Sequence, residues 1–140
     1  MGHTETFDHT ADLGLRIRAT DLGDLFQTAA EGLFDVIVAN RDAVRGVQDE
    51  QVSLAAESTE DLLIEWLNEL IFRSETEHRL YGGFDVTVDA DGRALRAVIQ
   101  GEPVDPARHV LDHEVKAVTY HGVSIVRDQA GYLAEVIVDI

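Results

Sequence analysis

The sequence predicts an α+β fold in which two helices pack on one face of a mainly antiparallel β-sheet. Three observations carry this expectation. Two segments in the first half place apolar residues at helical spacing. Most of the remaining chain alternates apolar and polar residues with a period of two, broken by short turn signals. The helical segments lie between strands, and the second half is almost entirely hairpins, an order typical of α+β rather than alternating parallel architecture. With 140 residues and 45% hydrophobic content, a single domain over residues 1–140 with one core is expected.

Taken in order, a short strand over Thr4–Phe7 is expected first. Leu13, Leu15 and Ile17 then alternate with Arg16 and Arg18, the mark of a half-buried strand. Asp21 can cap a helix carrying Leu22, Leu25, Phe26, Ala29, Ala30, Leu33, Phe34 and Ile37 on one stripe. Val52–Ala55 reads as a further strand. A second helix opens at Ser58 or Thr59, with Asp61 placed to complete a cap. Leu63, Trp66, Leu67, Leu70 and Ile71 form its apolar face, and Glu60, Asp61, Glu65, Asn68 and Glu69 its wet one. Phe84, Val86 and Val88 lead to the turn Asp89-Ala90-Asp91-Gly92, and Leu95, Ala97 and Ile99 return from it as a hairpin. Glu114–His121 and Val123–Arg127 read as one long strand bent near Gly122. Asp128–Gly131 turns the chain into a last strand, Tyr132–Ile140.

Composition narrows the functional classes. The absence of cysteine excludes disulfides, thiolate metal sites and cysteine nucleophiles. Asp plus Glu number 27 against 11 Lys plus Arg, a net charge of −16. So negative a chain repels phosphate backbones and anionic membranes, so neither direct nucleic-acid nor membrane binding is expected. The N-terminal residues carry no secretory signal and no stretch is long enough to span a bilayer, which makes a cytoplasmic protein the expectation. Lys116 is the only lysine.

Four features could carry chemistry. Asp8-His9-Thr10-Ala11-Asp12 packs two carboxylates and an imidazole between two strands. It reads either as a hard-cation site for Mg²⁺ or Ca²⁺ or as a turn whose side chains bond their own backbone. Val136-Ile137-Val138-Asp139-Ile140 is an apolar strand reaching the last residue. If it lies beside the Asp8–Asp12 turn, three side-chain carboxylates and the terminal one converge, an arrangement that needs a cation or raised pKa values. Otherwise it is a core strand with an exposed end. Lys116 reads either as a compact, movable charge facing carboxylates or a partner's phosphate or acid, or as a chance survivor in an arginine-rich chain. His109 and His113 have the spacing of a helical zinc pair. Val110 stands where the zincin motif needs Glu, so His109 is read as a turn or surface residue. Gly82-Gly83 reads as a turn without phosphate-loop character.

Several segments together resemble the archease family. They are Asp8-His9-Thr10-Ala11-Asp12, Leu25–Phe34, Asp61–Leu70, Gly101-Glu102, Glu114–His121 and Val136–Ile140, in this order and spacing. The resemblance covers nearly the whole chain. It implies a small α+β protein that is not itself an enzyme. It also implies a partner, an RtcB-type RNA ligase of tRNA splicing and RNA repair, which uses GTP and divalent metal. Archeases promote guanylylation of that ligase and support its multiple turnover. The resemblance further implies a divalent metal ion, calcium or magnesium/manganese, at an acidic cluster. The matching positions are Asp12, Asp139 and the terminal carboxylate of Ile140, with Asp8 second, and Lys116 matches the family's strand lysine. Two other readings use the same residues or none of them: a metal-dependent phosphoester hydrolase, and a general chaperone or interaction module.

Overall fold

The computed structural model describes residues 2–9 and 12–140, with Asp8 and His9 described by their backbone alone. The elements are β1 (His3–His9), β2 (Asp12–Ala19), α1 (Leu22–Ile37), β3 (Gln48–Ala55), α2 (Thr59–Glu77), β4 (Arg79–Val88), β5 (Ala94–Pro103), β6 (Ala117–Asp128) and β7 (Gly131–Asp139). A short 3₁₀ turn at Arg41–Ala43 follows α1. The expected fold class holds: two helices packed on antiparallel strands. The strands form two sheets, one ordered β1-β2-β7-β6 and the other β3-β5-β4.

The helices lie between these sheets. α1 packs on β1, β2 and β7 of the larger sheet and on β4 of the smaller, while α2 packs on β6 of one and on β3, β4 and β5 of the other. This explains why Leu62, Leu63 and Ile64, three consecutive residues of α2, are all fully buried. A helix against one sheet needs one apolar stripe, whereas a helix between two sheets buries more of its circumference. Apart from Ile137, the buried apolar residues described form one cluster. Inside it, the Trp66 indole N–H donates to the Phe26 carbonyl at 3.0 Å, tying α2 to α1. Phe34 meets Tyr81 edge-on at 5.8 Å between ring centroids.

Local chemistry sets the element ends. The Asp21 carboxylate accepts from the Asp24 N–H at 2.8 Å at the start of α1. The Ser58 hydroxyl accepts from the Asp61 N–H at 3.1 Å at the start of α2. Both satisfy amides that the helix itself leaves open. β3, β4 and β5 each run longer than the alternation suggested, and β6 starts at Ala117 rather than Glu114. The expected bend near Gly122 is a bulge. Pairing of β6 with β7 shifts register between Thr119 and Ser124, and Gly122 sits at φ 76. None of the helices among the described residues is long and apolar enough to cross a membrane.

Candidate functional site

Strand register places the sequence-singled residues at one end of the four-stranded sheet. Leu13 pairs with Val138, and Asp12 and Asp139 are the next residues of these two strands at that end of the sheet. His9 pairs with Asp12 on one side, and Ala117 pairs with Asp139 on the other. Next along the chain, the Lys116 N–H donates to the Asp139 carbonyl at 2.8 Å. Val138 is fully buried and Leu13 packs on the core. By strand alternation, Asp12 and Asp139 face outward. Asp139 and Lys116 are exposed and Asp12 is half-buried. Asp8 pairs by backbone with Leu13. Its side chain and residues Thr10 and Ala11 lie outside the described residues.

Farther along the outer face of β2, the next positive charge is engaged elsewhere. Gly14 lies between Asp12 and Arg16, and the Phe7 ring covers it so closely that a Cβ at residue 14 would collide with the ring. Arg16 stacks over the same ring, 4.8 Å from its centroid. Its guanidinium is committed to Glu135 at 2.6 Å and Glu5 at 2.8 Å. Those carboxylates push the Arg16 pKa up and hold Glu5 down through the shared hydrogen bond. Lys116, by contrast, makes no ion pair among the described residues. By register, Lys116 stands one residue before Ala117, the pairing partner of Asp139.

The segment that delivers Lys116 is held by a buried anchor at Glu102. Glu102 accepts from the Arg108 guanidinium and, at 2.7 Å, from the Arg45 N–H. His109 Nε2 lies 2.9 Å from the same carboxylate, and its Nδ1 accepts from the Asp105 N–H at 2.8 Å. With Nδ1 accepting, Nε2 carries the proton and donates. The hydrogen bond from Arg108, with those from Arg45 and His109, brings the Glu102 pKa down to about 2 despite burial. Gly101 is required beside it, because a Cβ there would strike the Leu80 carbonyl. Farther on, Asn40 receives the Val110 N–H at 2.8 Å and donates to the Arg108 carbonyl at 2.9 Å. The His113 N–H reaches the Val36 carbonyl at 3.0 Å.

Two sequence expectations change here. His109 directly follows the turn at 106–108 but is buried, with both ring nitrogens engaged, so the His109/His113 spacing builds no zinc site. Asn68, assigned to the wet face of α2, grips the backbone of Val118 instead. Its amide donates to the Val118 carbonyl at 2.9 Å and accepts from the Val118 N–H at 2.8 Å. Nothing in local periodicity marks such a residue. An asparagine among glutamates on a helix face is the only hint.

Among the described residues, no three His, Cys, Asp or Glu side chains come together as a metal cluster. The register supplies two opposed carboxylates, with Ile140 next in sequence. These are all oxygen donors, the chemistry of a hard cation. Like charges directly opposite on neighbouring strands destabilise each other unless something positive intervenes. Positive charge near Asp12 and Asp139 would relieve that repulsion.

Comparison with known proteins agrees with the fold and order of these motifs. Residues 5–140 match the family described as the Archease protein family (MTH1598/TM1083). Protein archease of Methanopyrus kandleri is 40% identical over 140 residues, covering 97% of this chain and 98% of that protein. Protein archease of Pyrococcus furiosus is 36% identical over the full length of both. Among solved structures, Protein 1598 of Methanobacterium thermoautotrophicum superposes with a TM-score of 0.84 at 34% identity, covering 98% of each chain. A Thermotoga maritima archease, described as a possible chaperone, shares the fold with a TM-score of 0.69 at 19% identity, covering 97% of this chain and 96% of its own. None of these descriptions is that of an enzyme. The chain belongs to the archease family.

Proposed function

We propose that this protein is a cytoplasmic accessory that activates an RtcB-type GTP-dependent RNA ligase of tRNA splicing and RNA repair, acting through the acidic end of its four-stranded sheet. The observation that supports this reading is the register that brings the backbones of Asp12 and Asp139 to the same end of the sheet, with the Lys116 N–H bonded to the Asp139 carbonyl. Family membership supports an accessory role, and the description of the Thermotoga relative as a possible chaperone is of the same kind, a protein that acts on another protein. The net charge of −16 argues against direct RNA contact, so the connection to RNA runs through the partner.

Guanylylation is phosphoryl transfer, governed by positioning and charge neutralisation, so an accessory can promote it without a nucleophile of its own. Asp12, Asp139, the Ile140 carboxylate and Asp8 would hold a divalent cation, calcium or magnesium/manganese. A cation bound there supplies positive charge toward triphosphate oxygens. Lys116 offers a compact ammonium to an acidic or phosphate group of the partner's site. The exposed position of Asp139 and Lys116 leaves both free to meet that partner.

The test is a guanylylation time course of the ligase with GTP and Mn²⁺, comparing wild type with Asp12→Ala, Asp139→Ala and Lys116→Ala. Loss of activation in these variants is the expected result. If all three activate as wild type does, the acidic end is not the acting element.

A further inference from the structure

Only three residues of β6, Ala117–Thr119, pair with β7 beside Asp139 before the register breaks, and pairing resumes at Ser124. Upstream of Ala117, the chain from Val104 to Lys116 belongs to no strand, apart from one bridge between Leu111 and Val38. So short a pairing, with a loop on one side and a bulge on the other, has little intrinsic stability. β6 is also an edge strand. At Val118, the middle of the three residues, Asn68 of α2 takes both backbone groups, at 2.8 and 2.9 Å. Val118 itself pairs with Val138, the residue before Asp139.

We propose that Asn68 is a positioning residue for the acidic end: by holding the Val118 backbone from the helix, it fixes where Lys116 stands against Asp139. This rests on the reading of that end as the acting element. A primary amide is suited to the task because it donates and accepts at once, as a strand backbone does. Asp in its place keeps the acceptor but turns a carboxylate oxygen toward the Val118 carbonyl. Ala offers neither group. The side chain touches neither Lys116 nor Asp139 by hydrogen bond, so its effect passes through the strand.

The experiment uses the full chain with Asn68→Ala and Asn68→Asp, each read in two ways. Amide hydrogen exchange followed by NMR is expected to accelerate about tenfold or more at Val118 and Lys116. Exchange at Ile17 and Ala134, far from this end of the sheet, is expected to stay slow. Ligase guanylylation is then measured against accessory concentration. A merely destabilised protein raises the half-activating concentration and reaches the wild-type plateau in excess. A misplaced Lys116 lowers the plateau itself, and a reduction of about fivefold or more is expected by analogy with small misplacements elsewhere. Unchanged exchange at Lys116 overturns the proposal. So does a wild-type plateau from Asn68→Ala when Lys116→Ala and Asp139→Ala have lost activation, and that result leaves the proposed function standing. Wild-type activation by all the variants overturns both readings.

Discussion

Lys116 and Asp139 are joined backbone to backbone, through a 2.8 Å hydrogen bond from the Lys116 N–H to the Asp139 carbonyl. The side chain at 116 is exposed and takes no part in that bond. Lys116→Ala should therefore leave the link intact and change unfolding free energy by no more than about 0.5 kcal/mol, as surface substitutions do. Urea unfolding checks this. Stability loss well beyond that range would mean the lysine has a structural role, and its effect on the ligase could no longer be credited to the ammonium.

The opposed pair Asp12 and Asp139 makes a second prediction. In the absence of metal, Asp12→Asn and Asp139→Asn each remove one of two facing like charges. Each should stabilise the fold by about 0.2–1 kcal/mol, the range for cross-strand pairs. With Ca²⁺ present the order reverses. At a concentration one hundred times its dissociation constant, a cation held by the native state alone contributes about 2.7 kcal/mol, and the variants forgo most of it. Thermal melts with and without Ca²⁺ decide the matter. Equal shifts in wild type and variants would remove these carboxylates from any cation site.

Glu102 gives the fold a specific acid sensitivity. Its pKa is about 2 in the folded chain against an ordinary 4.5. As pH falls, the unfolded chain takes up this proton first, so the stability due to Glu102 is complete well above 4.5 and is lost on the way down to about 2. Glu102→Gln should flatten the acid limb of a stability–pH curve. At neutral pH it should cost about 3 kcal/mol, the low end for breaking a buried ion pair, because Arg108 retains Asp105 and the Ala43 carbonyl. An acid limb of unchanged steepness in the variant would show that Glu102 is not the group responsible.

What could be read from the sequence, and what could not, follows from the range of the interactions. The helices were legible because caps and stripes are local: Asp21, Ser58 and Asp61 act within one turn. The bend at Gly122 was legible for the same reason. Division of the strands into two sheets was not, because alternation reports that a residue faces a core but not which strand lies beside it. Leu15 meets Val136 across most of the chain's length. Charge and family resemblance single out Asp12, Asp139 and Lys116, but only the β2–β7–β6 register shows that their backbones share one end of the sheet. Asn68 reads as wet, and His109 as a turn or surface residue, because a polar residue on a helix face or beside a turn looks solvated until its long-range partner is known. Val118 is the partner of one and Glu102 of the other.

Gly122 tests whether the bulge itself matters. Its φ of 76 lies in the left-handed region, where a residue with a Cβ is strained by about 1–2 kcal/mol. An added Cβ would also sit 3.3 Å from Ile137 Cγ1, closer than relaxed packing permits. Gly122→Ala should therefore destabilise the protein by about 1–2 kcal/mol. Gly122→Asn should cost less, because asparagine tolerates this conformation better than other residues with a Cβ. Urea unfolding of both variants checks this. A Gly122→Ala protein as stable as the wild type would show that the backbone at 122 has other conformations open to it and that glycine is dispensable there.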